Sequence, residues 1–236
     1  MSLFESTSAL ALRYLPRDRF LSWRQRYHAA RIKLYPLMRA LYGTFDAAAL
    51  RDHLENRLER DFEILMVHSS LNHMLPMYSD TPLNLVRMLM DFCGPDRTLV
   101  MPAFSFNEGG ATHFGAASSQ YARFDLRQTP SRMGLATELF RRTKGVLQSR
   151  HPVYRVAAFG PLAKELTGGH ELAETACGRD TPFDFMANHE TRILGLGKRY
   201  DVLTQVHHAE DLMGDEFPVP FRIGERSTII IVDGNE

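Results

Sequence analysis

"FEILMVHSSLNHMLPMYSDTPLNLVRMLMDFCGPDRTLVMPAFSF", residues 62–106, decides the fold. It begins as an apolar run that empties into His68, Ser69 and Ser70, the pattern of a strand buried on both faces. Thr81 and Pro82 then open a helical stretch that closes at Gly94, so cap, first-turn proline and terminal glycine agree. "TLVMPAFSF", residues 98–106, reads as the next strand. Strand, helix, strand predicts a crossover unit, with the segments after His68 and Met101 emerging at one sheet edge. Ligands in open α/β sheets bind at such edges.

Upstream, "DAAALRDHLENRLER" (46–60) places Leu50, Leu54 and Leu58 on one helical face, with Asp46 as its N-cap. Residues 1–45 differ in character: Arg13, Arg17, Arg19, Arg24, Arg26, Arg31, Lys33 and Arg39 face only Glu5 and Asp18. Within them Trp23, Tyr27, Ala30, Leu34, Leu37 and Leu41 form one apolar stripe, which Pro36 should kink or divide. This is a basic helical extension, read as a helical pair packed on the main core. Docking on a partner, a second copy of the chain or a membrane surface is the alternative.

Downstream, "TPSRMGLATELFRRTKG" (129–145) carries the same Thr-Pro opening, pairs Leu135 with Leu139 and Ala136 with Phe140, and ends at Gly145. A helix starting there would gather free N–H groups at Ser131, Arg132 and Met133, where an anion such as a phosphate could sit. "SRHPVYRVAAFG" (149–160) is strand-like, "PLAKELTGG" (161–169) a short helix, "DTPFDFM" (180–186) a third Thr-Pro helix start and "TRILGLG" (191–197) another buried strand. "STIIIVDGNE" (227–236) reads as a strand that either pairs at the sheet edge or leaves a C-terminal piece missing. One α/β domain, residues 46–236, with a central mixed sheet flanked by helices, follows the extension.

Lys plus Arg equals Asp plus Glu at 28 each, so no global charge advertises nucleic acid or a strongly acidic partner. The only cysteines, Cys93 and Cys177, lack metal-ligand spacing and suit a reducing compartment, which makes cytoplasm the expectation. No signal peptide or membrane-spanning run is apparent.

"VLTQVHHAED" (202–211) gathers His207, His208, Glu210 and Asp211. On a helix from about Gln205 to Leu212, His207 and Glu210 are i and i+3 neighbours, so Glu210 can hold one ring nitrogen and leave the other as a base. A solvated helix start, a general base and a metal site all stay open on these residues alone, although the i, i+4 histidine pair of a zinc helix is absent. Neither cysteine has an activating setting, and no serine sits in a G-x-S-x-G elbow.

"VHSSL" (67–71), "GPDRTLVMPAFSF" (94–106), "FDLRQTPSRMGLATELFRR" (124–142), "HPVYRVAAFG" (151–160), "DTPF" (180–183), "ILGLG" (193–197) and "VHHAE" (206–210) occur in the order found in one family. Over residues 63–233 the chain resembles the aminoglycoside 3-N-acetyltransferases, the antibiotic N-acetyltransferases. The resemblance implies an acetyl-CoA-dependent enzyme that acetylates an amine, on an α/β fold distinct from GNAT acetyltransferases and with no metal. It implies that His207 is the catalytic base with Glu210 as its acidic partner. Ser69, Ser70, Ser131, Arg132 and Met133 then line the coenzyme site.

The chain departs from the family where relatives show "H-P-T-H-S-V-A-A": Val153, Tyr154 and Arg155 replace the Thr-His-Ser run. Arg155 is expected to pair with a phosphate or with Asp180, and His151 to stand in or beside the active site. The expected mechanism is direct transfer, His207 taking the proton of the attacking amine. Glu108, Asp180, Asp211, Asp215 and Glu216 could serve a polycationic aminoglycoside, as in a resistance enzyme. The basic extension and Arg155 suit a neutral or anionic amino sugar better, such as a nucleotide-linked one used in surface polysaccharide assembly. A non-catalytic or metal-binding member of the same scaffold is the reading from a different class.

Overall fold

The computed structural model describes residues 17–105, 123–199, 203–218 and 230–234. Packing divides the chain between Thr44 and Phe45 into two compact units. In the first, helix α1 (Arg17–Lys33) and helix α2 (Tyr35–Tyr42) are separated at Leu34. Pro36 explains the break, because it has no N–H to continue α1 yet costs nothing in the first turn of a new helix.

The second unit opens with α3 (Ala47–Glu55), where the Asp46 carboxylate accepts the Ala49 N–H at 2.8 Å. Strand β1 (Ile64–Ser69) leads through a single turn, α4 (Leu71–Met74), to α5 (Pro82–Cys93) and β2 (Thr98–Pro102). Then come β3 (Arg123–Asp125), α6 (Leu135–Arg141), β4 (Leu147–Gln148), β5 (Val156–Phe159) and α7 (Ala163–Thr167). The remaining elements are α8 (Pro182–Ala187), β6 (Thr191–Leu196), α9 (Gln205–Met213) and β7 (Ile230–Val232). No helix of the described residues is long and apolar enough to cross a membrane.

Five strands form one mixed sheet in the order β4-β5-β2-β1-β6. β1 runs parallel to both β2 and β6, and β5 runs antiparallel to β2. β1 and β2 are buried along their whole length, which is why they read as continuous apolar runs rather than alternating ones. Leu65, Val67, Leu99 and Met101 pack on one face with Leu54, Leu85, Leu89, Phe92 and Phe140 from α3, α5 and α6. Ile64, Met66 and Val100 pack on the other with Leu166 of α7 and with Phe183 and Met186 of α8. Helices thus cover both faces, as the crossover pattern predicts.

This topology gathers one edge. The C-terminal ends of β1, β2 and β6 and the N-terminal end of β5 lie together there. Ala103 N–H bonds Arg155 O, Ser105 N–H bonds Val153 O, and Ser70 N–H bonds Leu196 O, which ties the emerging loops to one another. Gly197 is needed at this junction: its φ is +63°, and a Cβ there would lie 2.6 Å from the Ser70 carbonyl oxygen.

Three expectations are corrected. "TRILGLG" is not a buried strand: β6 is the sheet edge, only Leu196 is buried, and Ile193 is 41% exposed. The terminal run does not join the main sheet; Ile230–Val232 pairs parallel with Arg123–Asp125 in a separate two-stranded sheet, and residues 227–229 lie outside the described residues. The helix expected from Thr129–Pro130 begins only at Leu135, after Gly134 at φ +109°. Turn bonds and longer-range ones hold the preceding segment instead. Asp125 Oδ1 accepts the Arg127 and Gln128 N–H groups, and Glu138 Oε2 accepts the Ser131 N–H at 2.8 Å. Phe104 O accepts the Arg132 N–H.

Candidate active site

The dyad forms as its spacing predicts. α9 spans Gln205–Met213, and His207 Nδ1 lies 2.7 Å from Glu210 Oε2. A carboxylate only accepts, so Nδ1 carries the ring proton and Nε2 keeps its lone pair. The His207 side chain is 46% exposed, which leaves that nitrogen within reach of a ligand.

Tyr154, in the turn before β5, meets the His207 ring edge-on with centroids 5.9 Å apart. It also packs against Phe104 at 5.0 Å, so the loop after β2 and helix α9 both meet the Tyr154 ring. Burial, with Cys177, Asp211 and Glu210 adding to it, pushes the Tyr154 phenol up to about 12. It stays protonated at neutral pH. Sequence reasoning missed Tyr154 as a site residue; its one signal was a place in a stretch that departs from the family pattern.

His151 closes the turn that presents Tyr154: its Nδ1 accepts the Val153 N–H at 3.1 Å and the Tyr154 N–H at 2.9 Å. Its ring stacks on His170 with centroids 4.6 Å apart. Burial, reinforced by the neighbouring ring, lowers His151 to about 3, and burial lowers His170 to about 4 despite help from the Ala176 carbonyl and Glu171. Both rings are neutral. His151 therefore stands beside the site as the brace of its tyrosine.

Arg155 does not pair with Asp180, contrary to expectation. It is fully buried, and its guanidinium donates to the carbonyls of Ala103 (2.8 Å), Leu126 (2.7 Å) and Thr129. Those acceptors explain the correction: three turning backbone segments converge at the sheet edge and their carbonyls need a donor. Burial lowers Arg155 to about 10, which leaves it charged at neutral pH. Asp180 lies apart from it, at φ +59°, giving its N–H to Asp184. Glu108 lies outside the described residues.

Ser69 is buried at the end of β1, and an added Cβ on Gly134 would be 3.9 Å from its carbonyl oxygen, so the Ser69–Ser70 loop and the Ser131–Gly134 turn adjoin. The amides of Ser131 and Arg132 are committed as described, and Met133 N–H bonds Ser131 Oγ, so these three are not the free anion nest of a helix start. Burial would raise the Glu138 carboxyl, but Arg141, the Ser131 amide and Arg142 outweigh it and hold it below its usual range. The turn is thus held rigidly in place. Near it, His68 Nε2 at the end of β1, Ser105 Oγ after β2 and Thr137 Oγ1 in the first turn of α6 are buried and have no hydrogen-bond partner among the described residues. Burial lowers His68, with Gln205 opposing and Lys198 reinforcing.

The cysteines are inert by environment. Burial pushes Cys93 up to about 12 despite Arg97 and Arg60, and raises Cys177 further, with Asp211 and Glu210 adding to it. Nor do His207 and His208 converge on a common point: His208 Nδ1 bonds Cys177 O at 2.6 Å, while His207 bonds Glu210.

A mixed α/β sheet with a histidine–carboxylate dyad at the C-terminal edge of its parallel strands defines the class. Residues 66–236 match the model of the family described as aminoglycoside 3-N-acetyltransferase, and the chain belongs to that family. It is 28% identical over 162 residues to aminoglycoside N(3)-acetyltransferase IX of Micromonospora chalcea, covering 65% of this chain and 57% of that protein. The chain thus spans little more than half the length of such relatives. AAC-VIa bound to sisomicin superposes with a TM-score of 0.60 at 28% identity, over 71% of this chain and 65% of that one. AAC-IIIb in a binary complex with CoASH gives 0.58 at 25% identity, over 72% and 65%.

Proposed function

We propose that residues 46–236 form an N-acetyltransferase domain that moves acetyl from acetyl-CoA directly to an amine of an aminoglycoside, with His207 as general base. The observation that carries this reading is the 2.7 Å bond between His207 Nδ1 and Glu210 Oε2, which fixes the basic nitrogen at Nε2. Family membership and the sisomicin- and CoASH-bound neighbours support substrate and cosubstrate.

A protonated amine has no lone pair, so the nucleophile must shed a proton before or during attack. His207 Nε2 takes that proton as the amine nitrogen bonds the acetyl carbon. The C–S bond then breaks, and the newly bonded nitrogen gives up its remaining ammonium proton, which the departing thiolate takes to become free CoA. Glu210 stabilises the imidazolium that forms. The raised thiols of Cys93 and Cys177 favour direct transfer over an acyl-enzyme.

The coenzyme is placed along Ser69, Ser70, Ser131, Arg132 and Met133. The Ser105 and Thr137 hydroxyls and His68 Nε2, which have no partner among the described residues, suit a polar ligand at this edge, since buried polar atoms otherwise find partners. Side chains, chiefly Arg132 and the serine hydroxyls, would do the binding in place of the committed amides.

The test is thiol release from acetyl-CoA across sisomicin, other aminoglycosides and amino sugars, including nucleotide-linked ones. Turnover with aminoglycosides is expected. Turnover confined to amino sugars would overturn the substrate, and no turnover with any amine would overturn the activity.

A further inference from the structure

α9 carries a second pair with the same spacing as the dyad. His208 Nδ1 donates to the Cys177 carbonyl at 2.6 Å, and Asp211 Oδ2 accepts the Cys177 N–H at 2.9 Å. Both backbone polar groups of one residue are therefore gripped by side chains one turn apart on a single helix. The loop they grip is itself fixed, because His170 bonds the Ala176 carbonyl through Nε2 at 2.8 Å and Ser149 Oγ through Nδ1 at 2.9 Å.

These contacts close a circuit. His170 stacks on His151, His151 holds the Tyr154 N–H, and the Tyr154 ring abuts His207. His207 is thus fixed from one side through its helix and met from the other by Tyr154, with both supports anchored in the same histidine stack.

Resting on the assignment of His207 as base, we infer that His208 and Asp211 are positioning residues that set the rotation of α9 and so the aim of His207 Nε2. Consecutive helical residues point about 100° apart, so the pair faces the Cys177 loop while His207 and Glu210 face the site. A rotation of about 10° at a side-chain radius of about 6 Å displaces the ring by about 1 Å. Such a misplacement costs up to about 10²-fold in rate. His208 is buried and its Nε2 lies 3.8 Å from Asp184 Oδ1 on α8, a second anchor in the same direction. Among the described residues, the ionisable groups in contact with His207 are Glu210 on its own helix and Tyr154 from the turn before β5.

The experiment compares full-length wild type with His208→Ala, Asp211→Ala, His208→Asn and His208→Gln, measuring thiol release and the NMR titration of the His207 ring. The alanine variants are expected to lower kcat about ten- to a hundredfold, to leave the KM for acetyl-CoA within about twofold, and to move the His207 titration. His208→Asn keeps a donor at the Nδ1 position and recovers most of kcat and the wild-type titration, whereas His208→Gln does not. Unchanged kcat and titration in both alanine variants overturn the inference. If the alanine variants do not fold, equal behaviour of His208→Asn and His208→Gln overturns it. If wild type acetylates no amine, the function fails by itself, and the His207 titration still reports on the positioning pair.

Discussion

Tyr154 meets His207 edge to face, with ring centroids 5.9 Å apart, so an aromatic side chain from the turn before β5 borders the basic imidazole. The contact is apolar and directional, and pairs of this kind are worth about 0.5–1.5 kcal/mol beyond their buried area. Tyr154→Phe keeps the ring and is expected to retain kcat within about threefold, whereas Tyr154→Ala frees the imidazole and loses about tenfold or more. Steady-state kinetics with an accepted amine check this. Equal losses in the two variants would shift the role from the ring to the hydroxyl.

The stacked pair His151 and His170 predicts acid sensitivity. Folded, the rings titrate near 3 and 4. In the unfolded chain they take protons at about 6.5. Above that pH both states are neutral and the pair contributes nothing. As pH falls, the unfolded chain binds protons that the folded chain refuses, and stability drops by up to about 1.4 kcal/mol per pH unit for each ring. Urea unfolding at pH 7.5 and pH 5 should show the loss, and His170→Gln should reduce it. An unchanged pH dependence in that variant would contradict the assignment.

Arg155 predicts a large stability effect from a position that resembles a substrate contact in sequence. Arg155→Ala strips the donor from three carbonyls, two of them in buried bonds, and each buried unsatisfied group costs about 1–3 kcal/mol, so a loss of about 3 kcal/mol is expected. Thermal melts check it. A variant of unchanged stability with a raised KM for acetyl-CoA would make Arg155 a ligand contact instead.

Thiol chemistry gives a direct check on the transfer route. With Cys93 and Cys177 both buried and raised, the native protein should resist a thiol reagent at pH 7 on the timescale that labels it fully in denaturant. Cys177→Ser should keep transferase activity, and loss of turnover with a trapped acyl-thioester in wild type would point to an acyl-enzyme.

Local signals were legible in the sequence where local bonds decide the structure. Thr81 and Thr181 start helices as Thr-Pro predicts, each hydroxyl accepting an N–H three residues on. Thr129 carries the same signal and starts none, because Arg155 takes its carbonyl while Glu138 and Phe104 take the next two amides after Pro130. Those partners are invisible to a window of neighbours. The dyad follows the same rule. His207 and Glu210 are three residues apart and readable, while the purpose of His208 and Asp211 depends on Cys177, 31 and 34 residues upstream. The strand order was legible for β1 and β2, whose full burial writes itself as an unbroken apolar run. It was not for β6, whose similar run lies at the edge with Ile193 exposed.

Whether His207 is the base is decided by the pH–rate profile of acetyl-CoA-dependent thiol release for wild type and His207→Ala, with coenzyme binding measured in parallel. The expected result is a loss of about 10²- to 10⁴-fold in kcat/KM with coenzyme binding retained, and a remaining rate that rises only as the amine itself deprotonates. Near-wild-type turnover of His207→Ala at neutral pH would contradict the account.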